Sequence, residues 1–460
     1  MKKSRMLPLL TLVGVLASCG GGGSSDTRRV LKFEFLKAGF GVEVYQKMAE
    51  AFMAEHPDVL VKLIPNKEIN STTGPKLQSE KNLSDVYLVK NIRDIRSWAI
   101  HGYLYDLSDI YNSPLENDET LKECMDDSAV DFSEYNGHYY SIPEYYNISG
   151  FVYNASLFEQ NNWAIPKTTH DLELLCKSVK SVVPPIVYCG ASADGYLYYM
   201  VDGQLTSYEG IVNMKKFYEF GSPEVFAPSA SRGKYYGLTN LKKFFFDNGY
   251  TMDRCMNKEY IGAQTSLIKG ETAMMLNGTW FENEMKDVMD YYPNTKIGMF
   301  PVPEVSDEQG NILHSDTYTT EDGKSVLTAD VISNYFIPAK AGNLEDAKEF
   351  IKFVSRSDIC ELYTANCNAI RPFKYNLDST SAVYANMSFF GKSVLEIAKN
   401  NTFYVPSSKD SVYLSGKIDL WPQGAAWNYK MYQNPSLYTP DYCLNSDYQY
   451  VKTNWDSWHQ

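Results

Sequence analysis

The first stretch after the N-terminal segment has the pattern of a strand, a helix and a second strand. Residues 30 to 36 alternate apolar and charged side chains, as a half-buried strand does. Apolar residues then recur at helical spacing from Val44 to Phe52, the helix must end near Pro57, and residues 59 to 64 form the next strand. Such a unit joins two parallel strands through a right-handed crossover. The chain is therefore predicted to belong to the α/β class.

Two candidate ligand contacts follow from this parallel sheet, because ligands bind beyond the carboxyl ends of such strands. Phe40 lies between Gly39 and Gly41 after the first strand and could offer its ring to a ligand, although a plain tight turn is the alternative. Asp85 directly precedes a further apolar run, residues 86 to 89, which is predicted to be the next parallel strand. Phe40 and Asp85 are therefore the first ligand-binding candidates.

Residues 135 to 154, with the sequence YNGHYYSIPEYYNISGFVYN, are predicted to connect two domains. They begin with an Asn-Gly turn signal, continue as an aromatic extended segment, and bend at Pro143, which has no N–H for a central ladder. We predict that this strand leaves one domain and enters a second; a Tyr-rich hairpin inside one domain is the alternative. The residues after Pro143 would then lie at the floor of a cleft, where small-molecule sites are common. These candidates are Glu144, Tyr145 and Tyr146.

Trp280 is a candidate because of the pattern around it. Residues 273 to 276 are apolar and lie between two glycines, which predicts a short buried strand. Thr279 and Glu282 then have the spacing of a capping box, so a helix is predicted to begin here. Trp280 in its first turn would face the carboxyl end of the strand, where ligand is expected. Packing between helix and sheet is the alternative for this tryptophan.

The tail from Cys360 to the C-terminus is unusually aromatic. Trp421 begins a Trp-Pro-Gln-Gly loop, so Trp421 and Trp427 are predicted to line the cleft from the second lobe. Trp455 and Trp458 are expected instead to hold the terminus against the surface.

A second, proline-containing extended segment at residues 297 to 303 is predicted to be the return crossing between the domains. The predicted division is residues 1–18 as a signal peptide, 19–29 as a flexible tether, 30–143 and 302–358 as lobe 1, and 144–301 and 359–460 as lobe 2.

The N-terminus has the features of a lipoprotein signal. Three cations are followed by an apolar run, residues 6 to 17, that is too short to span a bilayer. Leu-Ala-Ser-Cys at residues 16 to 19 matches a bacterial lipobox, in which the cysteine becomes lipid-modified, and the glycine-rich residues 20 to 25 would serve as a tether. Cys19 is therefore the predicted lipidation site; an ordinary cleaved signal with a chance cysteine is the alternative.

Charge and cysteine usage exclude several classes of function. The net charge of -13 argues against nucleic acid or an anionic membrane face as the partner. The cysteines other than Cys19 are scattered and include no CxxC pair, the six histidines include no HExxH motif, and no phosphate-binding loop is present. We expect no metal, no cofactor and no catalytic residues. Disulfides are compatible with an exported chain, but their connectivity cannot be deduced from the sequence.

The order of these landmarks resembles that of extracellular solute-binding proteins of ABC transporters, in particular the carbohydrate-binding group that includes maltose-binding protein. The matching segments lie within residues 16 to 356 and are the lipobox, KAGFG, SDVYL, YNGHYYSIPEYYNISGFVYNASLF, KGETAMMLNGTW, GMFPVP and NYFIPAKAGNLEDAKEFIKFVS. The aromatic tail from Asn376 onward and the number of cysteines do not match the pattern of that family.

The resemblance implies a two-lobe fold like that of periplasmic binding proteins, with crossing hinge strands and a ligand cleft between the lobes. By position it implies ligand contacts at Trp280, at Glu144 and Tyr145, and at Phe40. It also implies a sugar ligand, a permease partner, and a location on the extracellular face of the cell membrane through lipid on Cys19. We expect a monomer that is not an enzyme.

Two alternatives to a transport protein stay open at this point. A surface glycan-binding lipoprotein without a transporter would differ only in its partner. A lipid-anchored glycoside hydrolase would share the aromatic residues but would need two suitably spaced carboxylates.

Overall fold

The structure is a computed structural model, and it describes residues 26–37, 41–90, 92–319, 323–378, 381–423 and 427–459. Cys19 and Phe40, which the sequence singles out, lie outside the described residues. Within those ranges, no helix is both long enough and apolar enough to cross a membrane.

The strands are β1 (Arg29–Leu36), β2 (Val59–Asn66), β3 (Val86–Lys90), β4 (Pro114–Glu116), β5 (Glu119–Thr120), β6 (Glu134–Tyr135), β7 (His138–Tyr139), β8 (Ile142–Pro143), β9 (Asn147–Asn154), β10 (Met274–Gly278), β11 (Ile297–Pro301), β12 (Ser325–Asp330), β13 (Ser333–Phe336) and β14 (Asn401–Tyr404).

The α-helices are α1 (Glu43–Glu55), α2 (Ile69–Ser79), α3 (Ile92–Ile100), α4 (Ser108–Tyr111), α5 (Leu121–Cys124), α6 (Asp127–Ser133), α7 (Ala155–Asn161), α8 (Thr169–Val179), α9 (Tyr198–Tyr218), α10 (Arg232–Lys242), α11 (Tyr260–Ile268), α12 (Phe281–Glu284), α13 (Lys286–Asp290), α14 (Leu344–Ser355), α15 (Ser357–Cys367), α16 (Ala382–Asn386), α17 (Phe389–Asn400), α18 (Ser411–Leu414), α19 (Trp427–Gln433) and α20 (Pro440–Trp458).

The first sheet has the strand order β2-β1-β3-β13-β8. β1 is parallel to β2 and to β3, which confirms the parallel unit predicted from the sequence. β13 pairs antiparallel with both β3 and β8, so β8 runs in the same direction as the first three strands. One face of the sheet packs against α1, α14 and α15, because α1 turns Val44, Met48 and Phe52 inward at helical spacing. The other face packs against α2 and α3.

The second sheet is built around β9. β10 pairs antiparallel with β9, and both β11 and β12 also pair with β9, while β14 runs parallel to β12. Helix α9 packs along β12. It bends at Gly210, which has a φ of 72° and a non-helical backbone there, and the ring of Tyr318 occupies the space that a Cβ on this glycine would need.

Two short segments connect the sheets, and they run side by side. The chain leaves β8 at Pro143, enters β9 at Asn147, and returns from β12 at Asp330 to β13 at Ser333. The two crossings are joined by antiparallel pairing of Asp330 with Asn147 and by the Glu144 N–H, which donates to the Ser333 carbonyl at 2.9 Å. This confirms a two-lobe α/β fold with crossing strands.

The return crossing lies later in the chain than residues 297 to 303, where the sequence suggests it. Residues Ile297–Pro301 form β11, which pairs along its whole length with β9 inside the second sheet. A proline at the end of a strand is compatible both with a strand that continues into the other lobe and with a strand that ends within its own sheet, so the sequence alone does not distinguish the two. We therefore propose that the second lobe boundary lies at residues 331–332. Because α15 packs in the core of the first sheet, we place the third boundary after Cys367.

The seven cysteines that follow Cys19 are buried as free thiols. All of them except Cys124 belong to the cores of the two sheets, where a thiol behaves as a small hydrophobic side chain.

Candidate functional site

The candidate site is formed by side chains from four elements of the second lobe. The first is the N-terminal part of α9 together with the 3₁₀ turn before it, and the second is the carboxyl end of β12. The third is the short connection between β10 and α12, and the fourth is the segment that ends at Trp421. We call this group the aromatic–carboxylate site and define it as Tyr196, Tyr199, Asp202, Trp280, Asp330, Asp419 and Trp421.

Trp280 lies two residues beyond the end of β10, immediately before α12, and its side chain is partly exposed. The rings of Tyr196 and Tyr199 stand nearly edge-on to the indole, with centroid separations of 5.6 and 6.1 Å. Edge-to-face contacts of this kind fix the orientation of an indole and leave part of its surface open. Trp280 therefore presents a partly exposed indole held by two tyrosine rings, and its contact with a ligand stays a prediction.

The capping box predicted at Thr279 and Glu282 is not formed. No side chain caps α12, and the Glu282 carboxylate instead accepts hydrogen bonds from Asn368 at 2.6 Å and Ser388 at 2.8 Å. These two partners come from distant parts of the chain, so a local spacing rule could not anticipate them.

Trp421 is held by Asp202. Its Nε1–H donates to Asp202 Oδ1 at 3.1 Å, and the ring of Tyr198 packs edge-on against the indole at 4.4 Å. Lys234 Nζ lies 4.2 Å from the centroid of the Trp421 ring. Burial raises the pKa of Asp202 to about 7, and the hydrogen bond from Trp421 opposes that shift.

Asp330 and Asp419 add two further carboxylates. Asp419 pairs with Arg93 of α3 at 2.6 Å, an ion pair that links a helix of the first lobe to the C-terminal segment. Burial, together with the charge of Asp419, raises the pKa of Asp330 to about 6. Among the described residues, no hydrogen-bond donor reaches the Asp330 carboxylate. Asp330 is therefore free to accept hydrogen bonds from a ligand.

Asp85 lies at the opposite end of the first sheet from the one where ligand is expected. It precedes β3, and its two carboxylate oxygens accept backbone N–H bonds of 2.8 Å from Lys32 and from Asn343. These bonds join β1 to the start of α14, so the observed contacts of Asp85 are structural. Its role as a ligand contact stays a prediction.

The three predicted candidates after Pro143 are buried, Glu144 and Tyr145 by the first lobe and Tyr146 in the core of the second sheet, where its ring contacts Phe403. Glu144 Oε1 accepts from the hydroxyls of Tyr45 at 2.6 Å and Tyr363 at 3.1 Å, and burial raises its pKa. Tyr145 packs in the core of the first sheet. The Tyr146 hydroxyl donates to Asp126 at 2.9 Å. The structure does not bring Glu144 or Tyr146 together with Trp280, and their ligand contacts stay predictions.

The two predicted tail tryptophans have different surroundings. Trp421 belongs to the aromatic–carboxylate site, whereas Trp427 is 2 % exposed and donates from Nε1 to Asp447 at 3.1 Å. Trp427 packs in the core of the second sheet, and its contact with a ligand stays a prediction.

Five residues of the site were not anticipated from the sequence, namely Tyr196, Tyr199, Asp202, Asp330 and Asp419. A signal for two of them exists, because Tyr199 and Asp202 are three residues apart and so share one face of a helix. Asp330 ends an apolar strand, which is a position where ligands are expected. Asp419 carries no such local signal.

A separate groove of about 1540 Å³ lies at the other ends of α9 and β12, where Ile211, Lys215 and Val326 contribute to its lining. Its walls carry charges of both signs, and Lys215 pairs across it with Asp131 at 2.5 Å. We propose the aromatic–carboxylate end as the functional site, because partly exposed rings lie there together with Asp330, whose carboxylate accepts from no described donor.

A comparison with protein families gives a match that covers more than half of the chain. The family described as bacterial extracellular solute-binding protein matches residues 41–358. The multiple sugar-binding protein of Streptococcus mutans is 22 % identical over 374 residues, covering 79 % of this chain and 81 % of that protein.

Solved structures of low sequence identity share the fold. Apo RafE from Streptococcus pneumoniae is 17 % identical and superposes with a TM-score of 0.67, covering 94 % of this chain and 100 % of that one. The structure of RafE in complex with raffinose gives a TM-score of 0.63 at 17 % identity, covering 92 % and 100 % of the two chains.

Proposed function

Because this chain belongs to the family of bacterial extracellular solute-binding proteins, we propose that it captures a sugar or oligosaccharide outside the cell and delivers it to the permease of an ABC transporter. The observation that carries the sugar assignment is the aromatic–carboxylate site. The sugar-binding relative in Streptococcus mutans and the raffinose complex of RafE support the same class of ligand.

The chemistry of the site suits a saccharide. A sugar ring has apolar C–H faces that stack on aromatic rings, and a rim of hydroxyls that donate to carboxylates. Trp280 and Trp421 would supply indole platforms, and Asp202 and Asp330 would supply hydrogen-bond acceptors. Phe40 is proposed as a further ring from the first lobe, on the strength of its position after β1.

The protein is proposed to act at the extracellular face of the cell membrane. The lipobox at residues 16 to 19 and the glycine-rich residues that follow support lipid attachment at Cys19. A tethered binding protein stays near its permease, which raises the effective concentration of the bound sugar at the transporter.

One observation favours a hydrolase as the alternative. Asp202 has a pKa raised to about 7 by burial, and a second carboxyl, that of Asp330, affects its titration. A protonated acid beside an ionised carboxylate is the pairing that glycoside hydrolases use. We nevertheless propose binding without catalysis, because the family to which the chain belongs consists of binding proteins.

The test uses soluble protein that starts after Cys19. Calorimetric titration against neutral mono- and oligosaccharides is expected to find at least one ligand, and an end-labelled oligosaccharide is expected to be recovered intact after long incubation. Cleavage would support the hydrolase. Transport is tested by uptake of the bound sugar in cells with and without the gene; equal uptake would favour a surface glycan-binding protein that has no transporter.

A further inference from the structure

The aromatic–carboxylate site contains more carboxylates than cations among the residues that the structure describes. Of the two nearby cations, Arg93 pairs with Asp419, and Lys234 is held by the Leu420 carbonyl at 2.7 Å and by Asp447 at 3.6 Å. Neither Asp202 nor Asp330 forms an ion pair within the described ranges. When both are ionised, the site therefore has negative charge that the protein does not balance.

The positions of these two carboxylates follow from the packing of α9 on β12. Thr328 of β12 contacts Thr206 of α9, and its hydroxyl lies 3.5 Å from the Asp202 carbonyl. Side chains two residues apart on a strand share one face, so Asp330 is on the same face as Thr328. Asp330 lies near the N-terminal part of α9, since its charge raises the pKa of both Tyr199 and Asp202. The two unpaired carboxylates thus lie at one end of the same helix–strand contact.

The rings around these carboxylates also favour a cationic ligand, through a different interaction. Aromatic faces attract cations through their quadrupole, and rings grouped with carboxylates are a common way to bind an ammonium group. Lys234 already places its ammonium against the Trp421 ring. Tyr196, Tyr199 and Trp280 form a second ring group, with no described cation against it.

We propose that the preferred ligand is an amino sugar, or an oligosaccharide containing one, whose protonated amine lies between Asp202 and Asp330. This rests on the proposed function and goes beyond it by giving the ligand a charge. A hydroxyl can donate a hydrogen bond to either carboxylate, but only a cation balances the charge of the pair.

The binding of an amine is expected to depend on pH. The groups that surround the two carboxylates are Tyr196, Tyr199, Tyr218, Arg93, Lys234, Asp419 and Asp447. Burial holds Asp330 protonated up to about pH 6 and Asp202 up to about pH 7. A bound cation favours the ionised forms, so binding an amine releases protons and strengthens from about pH 5 to about pH 7. A neutral sugar releases no protons through this mechanism.

The experiment compares saccharides that differ only in the substituent at C2 of each sugar unit. Glucosamine and glucose, and the β-1,4-linked tetramers of each, are titrated into the soluble protein. The N-acetylated tetramer, whose nitrogen is an uncharged amide, is titrated alongside them. We expect the amine-bearing member of a pair to bind at least tenfold more tightly near pH 7 and to lose that advantage near pH 5. The Asp330→Asn variant should abolish the preference. Asp290→Asn on the exposed end of α13 is the matched control and should retain it.

The outcomes separate this inference from the function on which it rests. Neutral or N-acetylated saccharides that bind as tightly as the amine would overturn the amino-sugar inference and leave sugar binding intact. If the Asp330→Asn variant still prefers the amine, the amine binds elsewhere, and the amino-sugar inference is also overturned. If no saccharide of a broad neutral and amino panel binds, sugar capture itself fails.

Discussion

The indole of Trp280 lies over the backbone of Gly278. A Cβ atom built on this glycine would come within 2.0 Å of Trp280 Cζ3 and 2.3 Å of Cη2, far inside the contact distance of two carbons. Gly278 ends β10, and its neighbour in the sheet is Ser149 of β9. The ring can therefore adopt its observed position only because residue 278 has no side chain.

Gly278→Ala is expected to displace the indole and weaken sugar binding. We expect a loss on the order of 1–2 kcal/mol, or about five- to thirtyfold in affinity, since a moved platform keeps only part of its contact. Titration calorimetry measures the affinity and a thermal melt reports folding. Gly262→Ala on the exposed surface of α11, where an added Cβ meets nothing within 4 Å, is the control and should bind normally. Unchanged affinity in Gly278→Ala would mean that the sugar does not stack on Trp280.

Trp280→Ala and Trp427→Ala should separate binding from stability. Truncating the partly exposed Trp280 is expected to cost about 2 kcal/mol or more of binding free energy, about thirtyfold in affinity. Trp427 is fully enclosed, so its truncation is expected to cost roughly 3–5 kcal/mol of folding stability through the cavity it leaves. Calorimetry and denaturant unfolding on both variants provide the comparison. If Trp427→Ala weakens binding and Trp280→Ala instead lowers stability, the sugar contacts Trp427 and not Trp280.

Asp202 is expected to make the ligand-free protein less stable as pH rises from about 4 to about 7. Its folded-state pKa of about 7 exceeds the ordinary value of 3.8, so the folded protein retains a proton that the unfolded chain loses in that interval. Stability from this group is complete below about pH 4 and lost above about pH 7. Asp202→Asn cannot titrate but still accepts from Trp421, so its melting temperature relative to the parent should rise across the interval. A difference that is constant with pH would contradict the assignment.

Some parts of the candidate site can be predicted from short-range patterns in the sequence. Trp280 could be selected as a candidate because an apolar strand and a helix start are both patterns of this kind. Asp202, Asp330 and Asp419 could not be grouped in advance, because they come from three elements that only packing brings together. The same distinction holds for the fold. The strand–helix–strand unit and the crossing at Pro143 could be predicted because short-range sequence patterns indicate them. The return crossing depends on which strand pairs with which, and neither β11 nor β13 carries a local signal that identifies its partner strand.

Ligand binding is expected to close the two lobes around the paired crossings. Residues 144–146 and 331–332 are short links between the sheets, and the chain crosses again after Cys367, so rotation about these links moves each lobe as a unit. Small-angle scattering with and without a saturating sugar should show a smaller radius of gyration in the complex. A radius that does not change with a sugar proven to bind would indicate that the lobes are fixed.

Cys19 is expected to carry the lipid anchor. Cells grown with a radiolabelled fatty acid should label the parent protein, and the Cys19→Ala variant should stay unlabelled and be released from the membrane fraction. Cys124→Ala, which changes a buried thiol, serves as the control for cysteine loss in general. Equal labelling of the parent and Cys19→Ala would remove the anchor from the proposed function.

The place of β13 between β3 and β8 has a consequence for the order in which the chain folds. Synthesis and export deliver β1, β2, β3 and β8 long before residues 333–336, and within the described first sheet β8 has only β13 as a partner. Pairing strands so far apart in sequence must await the intervening chain and bear its loop-closure entropy. The first sheet is therefore completed only after β9 to β12 have been made. A chain interrupted before Ser333 would emerge with that sheet unfinished and an edge of β3 uncovered.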